Sequence, residues 1–271
     1  MISLIINDSK THLIPESWDE LSTEQYLVLI NNIHSYEDQS EVINTLLFYI
    51  IHPNIFSAIT IWHGFDAEEY LAKELLEEVH PLLQWIFDKP KFSKVPIPQL
   101  TIDGTILVSP KAGLINITGA EIVMLEYFRT AYEITKELHF LHKLVSVLYR
   151  PYNTADAERI ERGDDRVPFN DNLIDNYALL ISKSEKSNIF GIYFWYCAVM
   201  AYKYEQYSDV FSSEPSHKAK DPEEWRHIIR SLRNNKMGNQ KEVNEAYIGD
   251  ILYEMRKLEE EAKQLEKLNK T

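Results

Sequence analysis

The chain has 271 residues, 45% of them hydrophobic and 12% aromatic, enough apolar material for one good core with at most one appended element. Its 28 basic against 42 acidic residues leave a formal charge of −14, which argues against a broad phosphate-neutralising surface and so against nucleic acid as a partner. The single cysteine, Cys197, excludes an intramolecular disulfide and fits a reducing compartment.

The opening MISLIINDSK has neither a basic region nor a small-residue cleavage site, so a secretory signal is not expected. Ile2 to Ile6 reads as an edge strand turned by Asn7-Asp8. Ser22 with Gln25 three residues on has capping-box spacing, and Tyr26, Leu27, Ile30 and Ile33 give the following helix an apolar face. A second helix is expected from about Ser40 to Ile51, stopped by His52-Pro53. A third is expected from near Asp66, carrying Tyr70, Leu71, Leu75, Val79, Leu82 and Ile86, with a kink or break at Pro81.

Between Asp88 and Asn116 prolines multiply, and two β-like runs, LTI and TILV, flank Asp103-Gly104, a strong hairpin signal. This predicts a small β-hairpin arm on a helical body, with the N-terminal strand as a candidate neighbour. Helices are expected at 119–134, 136–149, 171–182, 186–206 and 222–234. Between the second and third of these, Pro151 ends a helix, and a charged excursion follows: Arg150, Arg159, Arg162 and Arg166 among Asp156, Glu158, Glu161, Asp164 and Asp165. With almost nothing apolar to bury, residues 152–167 read as a solvated loop. The aromatic run at 189–202 is shorter than the roughly 20 residues a bilayer crossing needs. Lys186, Lys203 and Glu205 flank it, and it reads as a central core helix with Cys197 as a buried structural thiol.

From Ile248 the sequence fits a heptad. Ile248, Met255 and Ala262 take a positions, Ile251, Leu258 and Leu265 take d positions, and Glu259–Lys263 and Glu266–Lys270 stand in the favourable i, i+4 order. Such a helix can dock on its own bundle or form a seam with another chain, and the sequence leaves both open. The expected organisation is a helical domain over 1–236, with the hairpin region at about 88–116 inserted, followed by an amphipathic helix within 237–271.

Candidate chemistry is thin. The pairs Glu77/His80 and Glu224/His227 have the spacing of di-iron helices, but chance supplies such pairs at this composition, and partner carboxylates cannot be assigned. His139 and His142 at i, i+3 lack a third zinc ligand. Asp164-Asp165 lies in the charged loop, and no phosphate-cradling or nucleophile motif occurs. Arg226, Arg230 and Arg233, followed by Lys236, read as a solvated helix face more readily than as a nucleic-acid contact. Neither catalysis nor a cofactor nor a metal is expected.

Several stretches together resemble a group of proteins from tailed phages and prophages of Bacteroidetes-type bacteria. They are IPESWDELSTEQYLVL (14–29), GLINITGAEIVMLEYF (113–128), KLVSVLYRPYN (143–153), VPFNDNLIDNYA (167–178) and YKYEQYSDVF (202–211). The resemblance implies a role in virion morphogenesis, in tail assembly and chaperone-like in character. A head–tail connector, ring or tail subunit is the alternative, and an enzyme or host-directed protein a third class. Implied partners are other phage structural or tail proteins, such as a tape-measure-like protein or neighbouring subunits, or a homo-oligomer through the C-terminal helix. The implied location is the bacterial cytoplasm during assembly, or the virion. The expected working surface is Ile248, Ile251, Met255, Leu258 and Leu265, with Ile102, Ile106 and Val108 of the hairpin second.

Overall fold

The fold is mainly α with small antiparallel sheets, as the periodicity predicts. The computed structural model describes residues 2–6, 10–33, 39–51, 73–153, 155–161, 163–211, 221–233 and 237–269. Two compact units divide the chain, Met1–Pro96 and Ile97–Thr271.

In the first unit, β1 (Ile2–Ile6) pairs antiparallel with β2 (Lys10–Ile14), a strand that the sequence pattern does not announce. Helix α1 (Thr23–Ile33) begins as expected: the Ser22 N–H donates to Gln25 Oε1 at 2.9 Å, and the Gln25 N–H donates to Ser22 Oγ at 3.1 Å. It packs with α2 (Gln39–Ile51), burying Tyr26, Leu29 and Ile30 with Ile43, Leu46 and Leu47. Helix α3 (Lys73–Leu83) runs on through Pro81 and gives way after Leu83 to a 3-10 turn, Gln84–Phe87. The expected start near Asp66, with Tyr70 and Leu71, and the His52-Pro53 stop lie outside the described residues. Trp18 anchors an aromatic cluster, edge-on to Trp85 at 5.6 Å, while Trp85 Nε1–H donates to the Pro15 carbonyl.

The second unit opens with β3 (Gln99–Ile102) and β4 (Thr105–Val108). Asp103 and Gly104 both have positive φ, 49° and 77°, the geometry that makes Asp-Gly a hairpin turn. The hairpin is not a projecting arm. Strand β4 pairs with β5 (Arg150–Pro151), so the third strand comes from the end of a helix and not from the N-terminus. Leu100, Ile102 and Leu107 are buried beneath it.

Helix α4 (Gly119–Thr135) is started by the Thr118/Glu121 capping box and ended by Lys136 in the left-handed region. It packs along α5 (Leu138–Leu148), which packs against α7 (Ile174–Ile181) and α8 (Lys186–Gln206). Helix α8 is the core helix expected, burying Ile189, Ile192, Trp195, Tyr196, Val199 and Met200. Among the described residues, no helix is long and apolar enough to cross a membrane. Short helix α6 (Ala157–Glu161) lies in the charged excursion, and α9 (Glu224–Leu232) and α10 (Gln240–Glu245) lead to α11 (Ile248–Asn269).

The C-terminal segment is not separate from the bundle. Gly119 N–H donates to the Ala246 carbonyl at 2.9 Å, and Ile248 N–H donates to the Ile117 carbonyl at 2.8 Å, clamping the start of α11 to the start of α4. Gly119 is glycine for a packing reason: a Cβ there would lie 2.5 Å from the Val243 carbonyl oxygen. The compact unit therefore begins at Ile97 and runs through α11, in place of a division near 236.

Candidate interaction surface and the charge clusters beneath it

The predicted surface on α11 splits into two parts. Ile248 and Ile251 are fully buried, as is Leu252, so the first two turns are core and offer nothing to a partner in this fold. Met255 and Leu258 are half-buried. Leu265 is 61% exposed and Leu268 71% exposed, so the apolar stripe continues past the body of the unit. Between the parts, Arg256 fastens the helix to the end of α8. It donates to Asp209 at 2.9 and 3.1 Å and lies 4.2 Å from the Tyr207 ring centroid.

The hairpin residues separate by face. The turn pairs Ile102 with Thr105, Thr101 with Ile106 and Gln99 with Val108. Ile102 therefore shares the inner face with Leu100 and Leu107 and is buried, while Ile106 is 48% exposed and Val108 half-buried. Ile102 belongs to the core and not to a surface.

The charged excursion is where the structure departs most from expectation. Asp164 and Arg166 are fully buried, as is Glu121, and Arg150 is 2% exposed. The loop is not solvated at its base. Arg166 Nε and Nη2 donate to the two Asp164 carboxylate oxygens at 2.7 and 3.1 Å, and Nη2 also lies 3.3 Å from Glu121 Oε1. Its remaining donors reach the Leu148 carbonyl at the C-terminus of α5 (2.9 Å) and the Asn116 carbonyl (3.1 Å). Arg150 Nη2 is 2.7 Å from Glu121 Oε1, and its guanidinium sits 5.7 Å from the Phe169 ring centroid. Two carboxylates thus meet two guanidinium groups. Arg166 also satisfies a helix-end carbonyl that would otherwise be orphaned.

Backbone pairing closes the loop above this staple. Asn153 N–H donates to Asp165 O at 2.7 Å, and Val167 N–H donates to Pro151 O at 2.9 Å. The excursion is therefore held at its neck, where Pro151, Tyr152 and Asn153 run antiparallel to Asp165, Arg166 and Val167. The side chains of Glu158, Arg159 and Arg162 lie outside the described residues.

A second buried charge sits on the same helix. Glu126 accepts from Arg129 Nε and Nη2, from Tyr196 Oη at 2.7 Å and from Tyr204 Oη at 3.0 Å. Trp225 Nε1–H donates in turn to Tyr204 Oη at 3.0 Å, so this cluster ties α4, α8 and α9 together. Burial, and after it the Glu126 carboxylate, raise both phenols well above their ordinary range and keep them as donors. Burial opposes the Arg129 charge, but Glu126 outweighs it and the guanidinium is held more firmly protonated. The signal for Glu121 lay in the sequence, as Thr118-x-x-Glu121; the signal for Glu126 was a charge on an apolar stripe with Arg129 at i+3.

The remaining candidates do not converge. His80 bonds Asn44 Oδ1 at 2.7 Å, His139 lies 3.1 Å from Glu137, and His227 is 3.9 Å from Asp221. Desolvation lowers the pKa of His142, with His139 adding to the effect. Among the described residues, no group of three or more His, Cys, Asp or Glu side chains is placed to hold a metal. Cys197 is only partly exposed, and desolvation pushes its thiol up to about 12. At pH 8, native protein is expected to react with iodoacetamide about a thousandfold more slowly than unfolded protein. Mass spectrometry of quenched time points checks this, and equal labelling rates in the two states would contradict it.

Comparison with protein-family models, with curated proteins and with solved structures finds no match for this chain.

Proposed function

We propose that this chain is a non-enzymatic protein–protein interaction factor in phage particle assembly, working through the distal half of α11. One observation carries the interaction reading: the helix is seated by Ile248 and Ile251 yet runs on with Leu258 half-buried and Leu265 exposed at coiled-coil spacing. The resemblance of segments 14–29, 113–128, 143–153, 167–178 and 202–211 supports the phage setting and, within it, a chaperone-like role in tail assembly. A connector, ring or tail subunit would use the same surface in symmetric copies, with exposed Ile106 as a further contact. Protein and particles would share the bacterial cytoplasm during assembly. The polar clusters favour a binding role over catalysis, since Glu121, Glu126 and Asp164 are engaged by arginine, tyrosine and backbone groups of the fold itself.

Met255 and Leu258 are both half-buried, but Leu258 lies farther from the seated Ile248 and Ile251, so the test takes Leu258 together with exposed Leu265. Leu258→Glu with Leu265→Glu is expected to weaken partner binding at least tenfold, about 1.4 kcal/mol or more, while the melting temperature stays within a few degrees. Binding unchanged by the pair would end the α11 reading. Mass spectrometry of purified particles beside infected-cell lysate separates the two roles. Presence in lysate alone fits the assembly factor; stoichiometric presence in particles fits the structural subunit.

A further inference from the structure

Independently of the α11 surface, a cavity of about 360 Å³ opens between α4, α9, α10 and the segment leading into α7. Helix α9 buries Trp225, Ile229 and Leu232, with Trp225 held by its bond to Tyr204. That anchorage fixes the neighbouring Arg226, Arg230 and Arg233 along the cavity wall. Val123 and Met124 of α4, Ile229 and Phe169 supply an apolar floor, and Gln240 and Asn244 of α10 add neutral polar groups.

The charge in this cavity runs against the character of the molecule. The whole chain carries −14, whereas the lining holds three arginines against the single acid Asp171. Arg226 is partly compensated from outside by Glu223, at 2.9 Å. Among the described residues, neither the Arg230 nor the Arg233 side chain makes a hydrogen bond or an ion pair; Arg230 is exposed at the cavity mouth, and Arg233 Nε is buried without a partner. A buried guanidinium donor without an acceptor is costly, and a bidentate oxyanion is the group that satisfies it best. The volume lies within the range of small-molecule sites.

We infer that this cavity binds a small organic anion, with a phosphate-type dianionic head held by Arg230 and Arg233 and an apolar body resting on Val123, Met124, Ile229 and Phe169. Two unpaired guanidinium groups match two negative charges, and the apolar floor favours an organic ester over inorganic phosphate.

The test is isothermal titration calorimetry of the full chain at low ionic strength, using phenyl phosphate, benzoate and inorganic phosphate as probes. Saturable binding of phenyl phosphate is expected, tighter than either benzoate, which has one charge, or inorganic phosphate, which has no apolar body. The Arg230→Gln/Arg233→Gln variant is expected to lose about tenfold or more in affinity with an unchanged melting temperature. If that variant fails to fold, Arg230→Lys/Arg233→Lys, which keeps the charge but not the planar fork, is expected to fold and still bind several-fold more weakly. No saturable binding at millimolar phenyl phosphate would overturn the proposal, and so would affinity unchanged in the arginine variants. Inorganic phosphate or benzoate binding as tightly as phenyl phosphate would overturn the ligand class.

Discussion

Arg166→Ala is expected to destabilise the unit beginning at Ile97 by about 3–5 kcal/mol, the range for removing one partner of a fully buried ion pair. The substitution leaves Asp164 and Glu121 fully buried with one guanidinium fewer to offset them, and removes the Arg166 donors from the Leu148 and Asn116 carbonyls. Arg166→Lys should fall between the two proteins, because one ammonium cannot span four acceptors that a planar guanidinium reaches together. Urea unfolding followed by tryptophan fluorescence measures the loss. A change under about 1 kcal/mol for Arg166→Ala would mean that water reaches the staple, as at a surface pair.

Glu126→Ala is the second large expected effect, about 3 kcal/mol or more by the same reasoning. Arg129 would keep Glu133, but the Tyr196 and Tyr204 hydroxyls would lose their shared acceptor inside the packing of α4 against α8. Glu126→Gln should cost clearly less, since an amide oxygen still accepts from the phenols while the charge pairing with Arg129 is lost. Equal losses for alanine and glutamine would place the whole contribution in the Glu126–Arg129 attraction. The two variants together separate the hydrogen-bonding share from the charge share.

How much of this was legible in the sequence depended on whether the cause was local. The Ser22 capping box, the Asp103-Gly104 turn and the α8 core run rest on neighbouring residues, and each appears where the pattern places it. Helix α10 carried a comparable signal, Asn239-x-x-Glu242, that the helical periodicity alone does not reveal in so short an element. Strand β2 gave no sign, because Lys10, Thr11 and His12 lack the apolar alternation of a strand.

The apolar stripe of α11 was legible in the sequence, but which of its residues the fold buries was not. A heptad assigns Ile248 and Leu265 the same kind of position, yet where the helix leaves the bundle is set by the Gly119–Ala246 and Ile248–Ile117 clamp. For the hairpin, counting outward from the two-residue turn pairs Ile102 with Thr105 and so would have put Ile102 and Ile106 on different faces of the sheet. The charged excursion misled for another reason. A run of arginine and aspartate is ordinarily solvated, and the burial of Asp164 and Arg166 beside Arg150 needs Glu121, brought in from α4. A charge run says nothing by itself about its distant counter-charges. The prominence of Arg150-Pro151 in the sequence nonetheless marked the place, since that dipeptide is both the helix stop and strand β5 at the neck of the loop.

The central claim, that the distal half of α11 binds another chain during particle assembly, is tested most directly by genetic complementation. A phage lacking the gene for this chain would be supplied in trans with wild-type protein or with Leu258→Glu/Leu265→Glu, and particles counted by plaque titre and electron microscopy. The account predicts that wild type restores complete particles, whereas the double variant accumulates as folded protein and leaves assembly arrested. Full restoration by the double variant, or normal particles without the gene, would contradict it.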